Sequence, residues 1–372
     1  MIYAIIRALV PVSPRKIVFH SYPEMDDNAL ALFVSSSWSR AKAKYQLIWL
    51  VDDVNSARAK LSRHIIHHDL TFDVVRKNSI AGILNYLTAA YVFTTHGTFS
   101  FARYAGPQKI INLWHGMPLK RIGLTDGKAA NEVQFCTHTV ATSDFFQAAM
   151  AEAFGLPLEK VLLSGQPRNE WLLKPIDWRE ALKVGASHSL AVWMPTYRKS
   201  AVGDIRSDST SGDGVTAELL SAVDVALNDT GIYLVVKFHP MDVLNELVWP
   251  SFRNVKIFTQ NDWLDTGINM YNLLGASDRL ITDFSSVGID YLILRRPVAM
   301  FVPDLEQYSR GFTPGALELC LAACSRLGNV HDLVRFLRGD LPSVADDSAF
   351  DRLNAPADTS PSESILAALD LV

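Results

Sequence analysis

Two Rossmann-like α/β domains, with parallel sheets facing across a cleft, are predicted by three observations. The chain has 372 residues, more than the roughly 250–300 that one hydrophobic core serves. Short apolar runs alternate with helical patterns almost throughout, as in parallel sheets covered on both faces. The alternation breaks once and restarts at comparable length. That break sets one domain at residues 1–170, a second at 186–338 and a tail at 339–372.

In the first half KIVFHS reads as a strand, followed by a helical stretch from Asp27 to Arg40. YQLIWLVDD is the next strand, with a polar helix behind it. AAYVFTTHG and KIINLWHG follow. HTVATS then runs into a helix from Asp144 to Phe154, and EKVLLSG closes the half. LKVGASHS reads as a linker. LAVWMP opens the second half, and VGDIRSDSTSGDG is a flexible loop by composition. IYLVVKFHP, NVKIFTQ, DRLITDFSS and PVAMFVP are strands flanked by helical patterns. After Gly339 the composition is that of turns and linker until ESILAALDLV, a helix expected to dock back onto one domain.

Hydrophobic residues make up 49% and charged residues 20%, a globular and not a disordered composition. A net charge of −4 does not suit a nucleic-acid binder, so any anion site must be local. Cys136, Cys320 and Cys324 lack framework spacing, which argues against a secreted disulfide scaffold, and the last two read as core. No run approaches the ~20 apolar residues of a transmembrane helix. MIYAIIRALVPVSP is apolar, is interrupted by Arg7 and has no small-residue cleavage site. It reads either as an amphipathic segment on a membrane surface or as a first helix packed on its own domain. In HIIHHD, His64 and His68 stand one helical turn apart, but no third ligand is at zinc spacing, so exposed histidines are expected there and no metal site.

Ligands of such sheets bind beyond the carboxyl ends of the strands, so the strand exits are where chemistry is sought. In LWHGMPLK, His115 directly follows a strand, Gly116 allows a sharp turn and Pro118 suits the first turn of a helix. An imidazole held there can act as a general base near neutral pH; the plainer reading is a turn-capping histidine. In VVKFHP, Lys237 and His239 lie two apart on a strand, hence on one side, and suit phosphate oxygens. An edge strand with incidental polar residues is the plainer reading. In RLITDFSSVGIDYLI a strand runs through Thr282 into Asp283, and Ser285 and Ser286 open a helix. Its free N–H groups favour an anion, or the serines are an ordinary cap. Arg310 precedes Gly311, Thr196 and Arg198 stand just past a strand exit, and Arg168 lies at the boundary between the halves. Lys120 and Asp53 are further acceptor-side candidates. Hydroxyls with Lys237, His239, Arg198 and Arg310 have the composition of a diphosphate site. With His115 contributed by the other half, the layout is that of a group transferase.

INLWHGMPLKRIG, GQPRNE, MPTYRKS, VVKFHP, ITDFSSVGIDYLILRRPVAMF and DLEQYSRGF stand in the order found in CDP-glycerol glycerophosphotransferases. The chain resembles that family, which comprises teichoic-acid primases and polymerases and their capsule-polymerase relatives, from Lys16 to Phe312. The resemblance implies a GT-B-like architecture and a CDP-activated polyol held by the C-terminal domain. It implies attack of an acceptor hydroxyl on the β-phosphorus, with CMP leaving. It further implies His115 as general base, His239 as a catalytic contact to the donor phosphates, and Ser285, Ser286 and Arg310 as donor contacts; Thr282 and Asp283, just before those serines, are further donor-side candidates. No obligatory cofactor is expected, and a divalent cation is possible without being predicted. Phe284, Glu170 and Lys199 stand where the family more usually has Tyr, Asp and Asp.

The expected function is transfer of glycerol phosphate, or a related polyol phosphate, to a hydroxyl of a lipid-linked or oligosaccharide acceptor in teichoic-acid-like or capsule synthesis. The expected place is the bacterial cytoplasm, with peripheral contact to the inner membrane face as an option and no nucleic-acid partner. A GT-B glycosyltransferase using a sugar nucleotide and a non-catalytic nucleotide-binding subunit of an envelope-assembly complex are the alternatives. Polyol identity, primase or polymerase action, and oligomeric state stay open at the level of sequence.

Overall fold

The computed structural model describes residues 9–38, 44–64, 71–99, 101–103, 106–185, 189–196, 215–239, 242–303, 305–308, 311–341, 347–355 and 358–372. The chain divides into two compact units: Met1–Glu170 with Ala355–Val372, and Trp171–Asn354.

Among the described residues, the first unit has a seven-stranded parallel sheet. Its strands are β1 (Ser13–His20), β2 (Gln46–Val51), β3 (Phe72–Arg76), β4 (Ala89–Thr94), β5 (Lys109–Asn112), β6 (His138–Ala141) and β7 (Val161–Leu163). Their spatial order, β3-β2-β1-β4-β5-β6-β7, reverses direction between β1 and β4, where His20 lies opposite Thr94. The strands are apolar because helices cover both faces. Phe19 is at the centre of that packing. Its ring meets Phe33, Trp38, Trp49 and Phe93 at centroid distances of 5.2–6.3 Å.

The helix expected over 27–40 runs only Asp27–Val34 and gives way to a 3-10 turn at Ser36–Trp38. Trp38 causes the break: its ring is buried and its indole N–H donates to the Leu32 carbonyl at 2.7 Å, folding the chain back. The strand β3 and the helix Ile80–Thr88 escape the apolar-run criterion. β3 is an edge strand, only partly buried, so FDVVR carries no continuous hydrophobic signal.

Among the described residues, the second unit has six parallel strands: β8 (Ser189–Trp193), β9 (Ile232–Lys237), β10 (Val255–Phe258), β11 (Arg279–Thr282), β12 (Val298–Phe301) and β13 (Ser325–Leu327). The order β10-β9-β8-β11-β12-β13 repeats the same reversal, here between β8 and β11. Trp193, Leu234, Val236, Phe238, Ile281, Phe301 and Phe336 belong to one buried cluster.

The stretch after Gly339 is not all linker. The helix Asp347–Leu353 buries Ala349, Phe350 and Leu353, and Arg295 pairs with Asp347 at 2.7 Å and Asp351 at 2.6 Å. Two turns with three apolar residues are too short for a periodic signal. The following helix, Pro361–Ala368, belongs to the first unit. There the Ser362 N–H donates to Glu170 at 2.8 Å, and the Tyr91 hydroxyl donates to the Leu369 carbonyl at 3.3 Å. All three cysteines are buried and unbridged. Burial pushes the Cys136 and Cys320 thiols up to about 12, which suits inert packing residues. VGDIRSDSTSGDG, the segment from Ile65 to Leu70 and residues 1–8 lie outside the described residues. Among the described residues no helix is long and apolar enough to cross a membrane.

Truncating Phe19 to alanine removes the hub of five rings. The expected cost is about 3–5 kcal/mol, read from the urea midpoint of the first unit. A loss under about 1 kcal/mol would show that the cluster does not hold this core together.

Candidate active site

In the first unit the exits of β1, β4 and β5 carry His20, His96 and His115. The Leu113 N–H donates to the Thr94 carbonyl at 2.7 Å, which carries the β4–β5 pairing one residue past the strands. Asn112 then accepts the Trp114 N–H at 3.0 Å, turning the chain. Trp114 has φ 54° and Gly116 has φ 130°. Glycine takes such a conformation freely, whereas for tryptophan it costs about 1–3 kcal/mol.

The buried amide of Asn28 opposes that strain. Its Nδ2 donates to the carbonyls of Leu113 and Trp114 at 3.3 and 2.9 Å, and its Oδ1 accepts the Arg168 N–H at 3.1 Å. No helix opens at Pro118. Met117 and Leu119 are buried and draw the segment into the core, and the next regular element is the 3-10 turn Gly123–Asp126.

The His115 ring lies parallel to His96, at 4.0 Å between centroids and 7° between planes, and 4.1 Å from Trp114. Its Nδ1 is buried with no hydrogen-bond partner among the described residues. Burial pushes the imidazole down to about 3, the neighbouring His96 adds to this, and Asp27 opposes it. Burial likewise lowers His96, and lowers His20 to about 4 although His20 Nδ1 lies 2.9 Å from the Leu50 carbonyl oxygen. All three rings are therefore neutral at pH 7, the form that can accept a proton.

The acceptor-side candidates are placed unequally. Arg168 is drawn to Asp27, Nη1 to Oδ1 at 2.8 Å, with both side chains largely buried. Lys120 is partly buried five residues past His115. Asp53 is an exposed cap: its Oδ1 accepts the N–H groups of Asn55 and Ser56 at 2.9 and 3.2 Å, at the start of the helix Val54–His64.

In the second unit the reversal between β8 and β11 is bridged directly. Asp283 accepts the Thr196 N–H at 3.0 and 3.1 Å and the Thr196 hydroxyl at 2.8 Å. The Thr282 hydroxyl donates to the Met194 carbonyl at 2.9 Å. Thr282 and Asp283 thus brace the two exits.

Ser285 Oγ receives the Val287 N–H at 3.4 Å. The N-cap position itself is held by Ser286, whose side chain makes no cap bond. The helix that follows is short, Val287–Tyr291. Phe284 is buried against Tyr308 and Phe312, at centroid distances of 4.0 and 5.3 Å, which gives an apolar reason for its departure from tyrosine.

β9 ends at Lys237, so His239 lies past the strand and does not sit on it. Lys237 is buried, with Nζ 2.6 Å from the Phe238 carbonyl and 2.9 Å from Gln260 Oε1. Burial lowers it to about 8, so it is still mostly protonated at pH 7. His239 is partly buried, and its carbonyl accepts the Asn245 amide at 2.7 Å. Arg198 and Arg310 lie outside the described residues.

Sequence reasoning passed over His20, His96, Asp27, Asn28 and Gln260. One signal was available: VFTTHG repeats the strand–His–Gly pattern of INLWHG.

Two parallel α/β units, each with this strand reversal, make the chain a GT-B-like α/β protein. It aligns over 99% of its length with 92% of the solved wall teichoic acid polymerase TagF, with a TM-score of 0.75 at 19% identity. Against a UDP-GlcNAc 2-epimerase from Neisseria meningitidis it covers 95% of its own chain and 98% of the other, with a TM-score of 0.55 at 12% identity. Residues 2–318 match the CDP-glycerol:poly(glycerophosphate) glycerophosphotransferase family, and the chain belongs to that family of transferases. It is 23% identical to a teichoic acid poly(glycerol phosphate) polymerase of Bacillus spizizenii, over 84% of this chain and 81% of that one. A ribitol-phosphate primase of the same organism is 22% identical over 82% of this chain and 77% of its own. The poly(glycerol phosphate) polymerase of Staphylococcus epidermidis is 23% identical over 81% of this chain, which spans only 42% of that longer protein.

The desolvated histidines set a pH dependence of stability. Unfolded, each titrates near 6.5, while folded His20 and His115 titrate near 4 and 3. Between those values the unfolded state binds more protons, so stability is complete above pH 6.5 and is lost as pH falls. Each costs about 2 kcal/mol at pH 5. Unfolding midpoints measured at pH 7 and pH 5 are expected to differ less in His115→Asn than in the natural protein; an equal drop in both would contradict the assignment.

Proposed function

We propose that the chain transfers glycerol phosphate, or a closely related polyol phosphate, from a CDP-activated donor to a hydroxyl of a lipid-linked or oligosaccharide acceptor of a cell-envelope polymer. Family membership supplies the reaction class. The observation that carries the residue assignment is the neutral, partly buried imidazole of His115 at the β5 exit, stacked on His96. His115 takes the proton of the acceptor hydroxyl as its oxygen bonds to the β-phosphorus. The bond from that phosphorus to the CMP oxygen breaks, and CMP leaves with the electron pair.

The donor belongs to the second unit in this reading. Lys237 carries positive charge at the β9 exit, Ser286 offers a hydroxyl with no cap bond, and Thr196 is oriented by Asp283. Ser285, His239 and Arg310 complete the donor contacts as the family resemblance implies, and Arg198 joins them from its place just past a strand exit. Charge placed in advance around the leaving group is the largest expected contribution to such a transfer. Lys120 and Arg168 are assigned to the acceptor side. Asp53 receives no acceptor role, because it caps a helix. A lipid-linked acceptor places the work at the inner face of a bacterial cytoplasmic membrane.

Purified enzyme incubated with CDP-glycerol, CDP-ribitol and UDP-sugars is expected to release CMP and to add polyol phosphate masses to the acceptor, read by mass spectrometry. Hexose addition with UDP release would overturn the reading. His115→Ala is expected to lower kcat by about 10²–10⁴-fold while calorimetric CDP-glycerol affinity persists. Ser286→Ala is expected to weaken that affinity by about tenfold, the loss of one hydrogen bond to a charged group; unchanged binding would remove Ser286 from the donor site.

A further inference from the structure

We propose that His96 is a positioning residue for His115: the two stacked imidazoles act as a pair that holds a single proton, and His96 keeps the His115 ring oriented and neutral until substrate supplies that proton. The inference rests on the reading of His115 as the base.

Four observations support it. The rings are parallel at 4.0 Å, closer than any other ring pair of His96. His96 is itself fixed. Thr95 Oγ1 lies 3.0 Å from its Nδ1 and also accepts the Tyr22 N–H at 3.2 Å, while the Tyr22 ring meets it edge-on at 5.7 Å. His115 Nδ1 has no hydrogen-bond partner among the described residues, so the usual means of orienting a catalytic imidazole is missing on that side. A hydrogen bond to the Thr95 backbone acts on the ring as well, and stacking on His96 with contact to Trp114 fixes its plane.

Two like charges at this separation disfavour each other strongly, so protonation of one ring keeps the other neutral. The other charged and titratable groups that act on the pair are Asp27, Arg168 and His20. Asp27 favours the protonated pair, and Arg168, held against it, offsets that effect. The arrangement leaves His115 poised to take a proton only when negative charge arrives with the substrate.

The test uses His96→Ala and His96→Phe in the full chain, each first shown by thermal unfolding to fold. The His115 ring is followed by NMR of its Cε1–Hε1 signal, assigned with His115→Asn. In His96→Ala the His115 titration midpoint is expected to rise by about one pH unit or more, since burial and a like neighbour are both removed. With CDP-glycerol, kcat is expected to fall about 10–100-fold at unchanged donor KM, an orientation loss. Phe, which restores a flat ring, should recover most of kcat. An unmoved midpoint in His96→Ala overturns the proposal whatever the activity, and so does a moved midpoint with unchanged kcat. A moved midpoint together with a fully active His115→Ala would instead reject His115 as base, and with it the catalytic meaning of the pair.

Discussion

Everything in this molecule depends on one constraint of parallel sheets. Parallel neighbours need right-handed crossovers, and a chain that builds outward from its first strand in both directions must reverse its strand order once. It does so between β1 and β4 in the first unit and between β8 and β11 in the second. At each reversal the connections leave in opposite directions, so the strand exits there are not covered by a common loop. Polar side chains can stand at these exits without interrupting the apolar strands behind them. His20 and His96 occupy one set, with His115 beside them at the β5 exit, and Thr196, Asp283 and Ser285 occupy or adjoin the other.

The two sets solve different physical problems. Around His115 stand aromatic rings, with the paired Asp27 and Arg168 nearby, and desolvation keeps the imidazole uncharged. A neutral ring need not be satisfied by a counter-ion, but it must be held in orientation, and here stacking and a hydrogen bond to the Thr95 backbone do that. The strained turn at Trp114 is held by Asn28, whose single amide ties the start of the helix Asp27–Val34, the β5 exit and the segment at Arg168. A group that reaches three separate pieces of chain contributes more through rigidity than through the ~1 kcal/mol of each bond.

In the second unit the problem is charge. The only acidic side chain at the β8–β11 crossing among the described site residues, Asp283, is occupied by Thr196, so its negative charge is met by an N–H and a hydroxyl. Lys237 remains mostly cationic at pH 7 despite its burial, supported by a carbonyl and an amide oxygen. Residues that first suggest direct donor contact thus divide into those that brace the crossing, Thr282 and Asp283, and those with capacity left to meet a ligand, such as Ser286.

The alternation of apolar runs and helical patterns determined the parallel α/β class and most of the strands, because a strand buried on both faces must be apolar along its length. It also placed His115, Lys237, Thr196 and Ser286 at strand exits, since position along the chain relative to a strand is a local property. The sequence was silent where burial is partial or an element is short, as at β3 and the helix Asp347–Leu353. It could not show that Trp38 turns the first helix back, that Pro118 begins no helix, or that Arg168 is committed to Asp27. Nor could it show that Asp283 faces Thr196 or that His96 lies flat on His115. Those pairings join residues that are far apart along the chain or lie on different strand exits. Only the lateral order of the strands brings such residues together, and strand order is decided by tertiary packing.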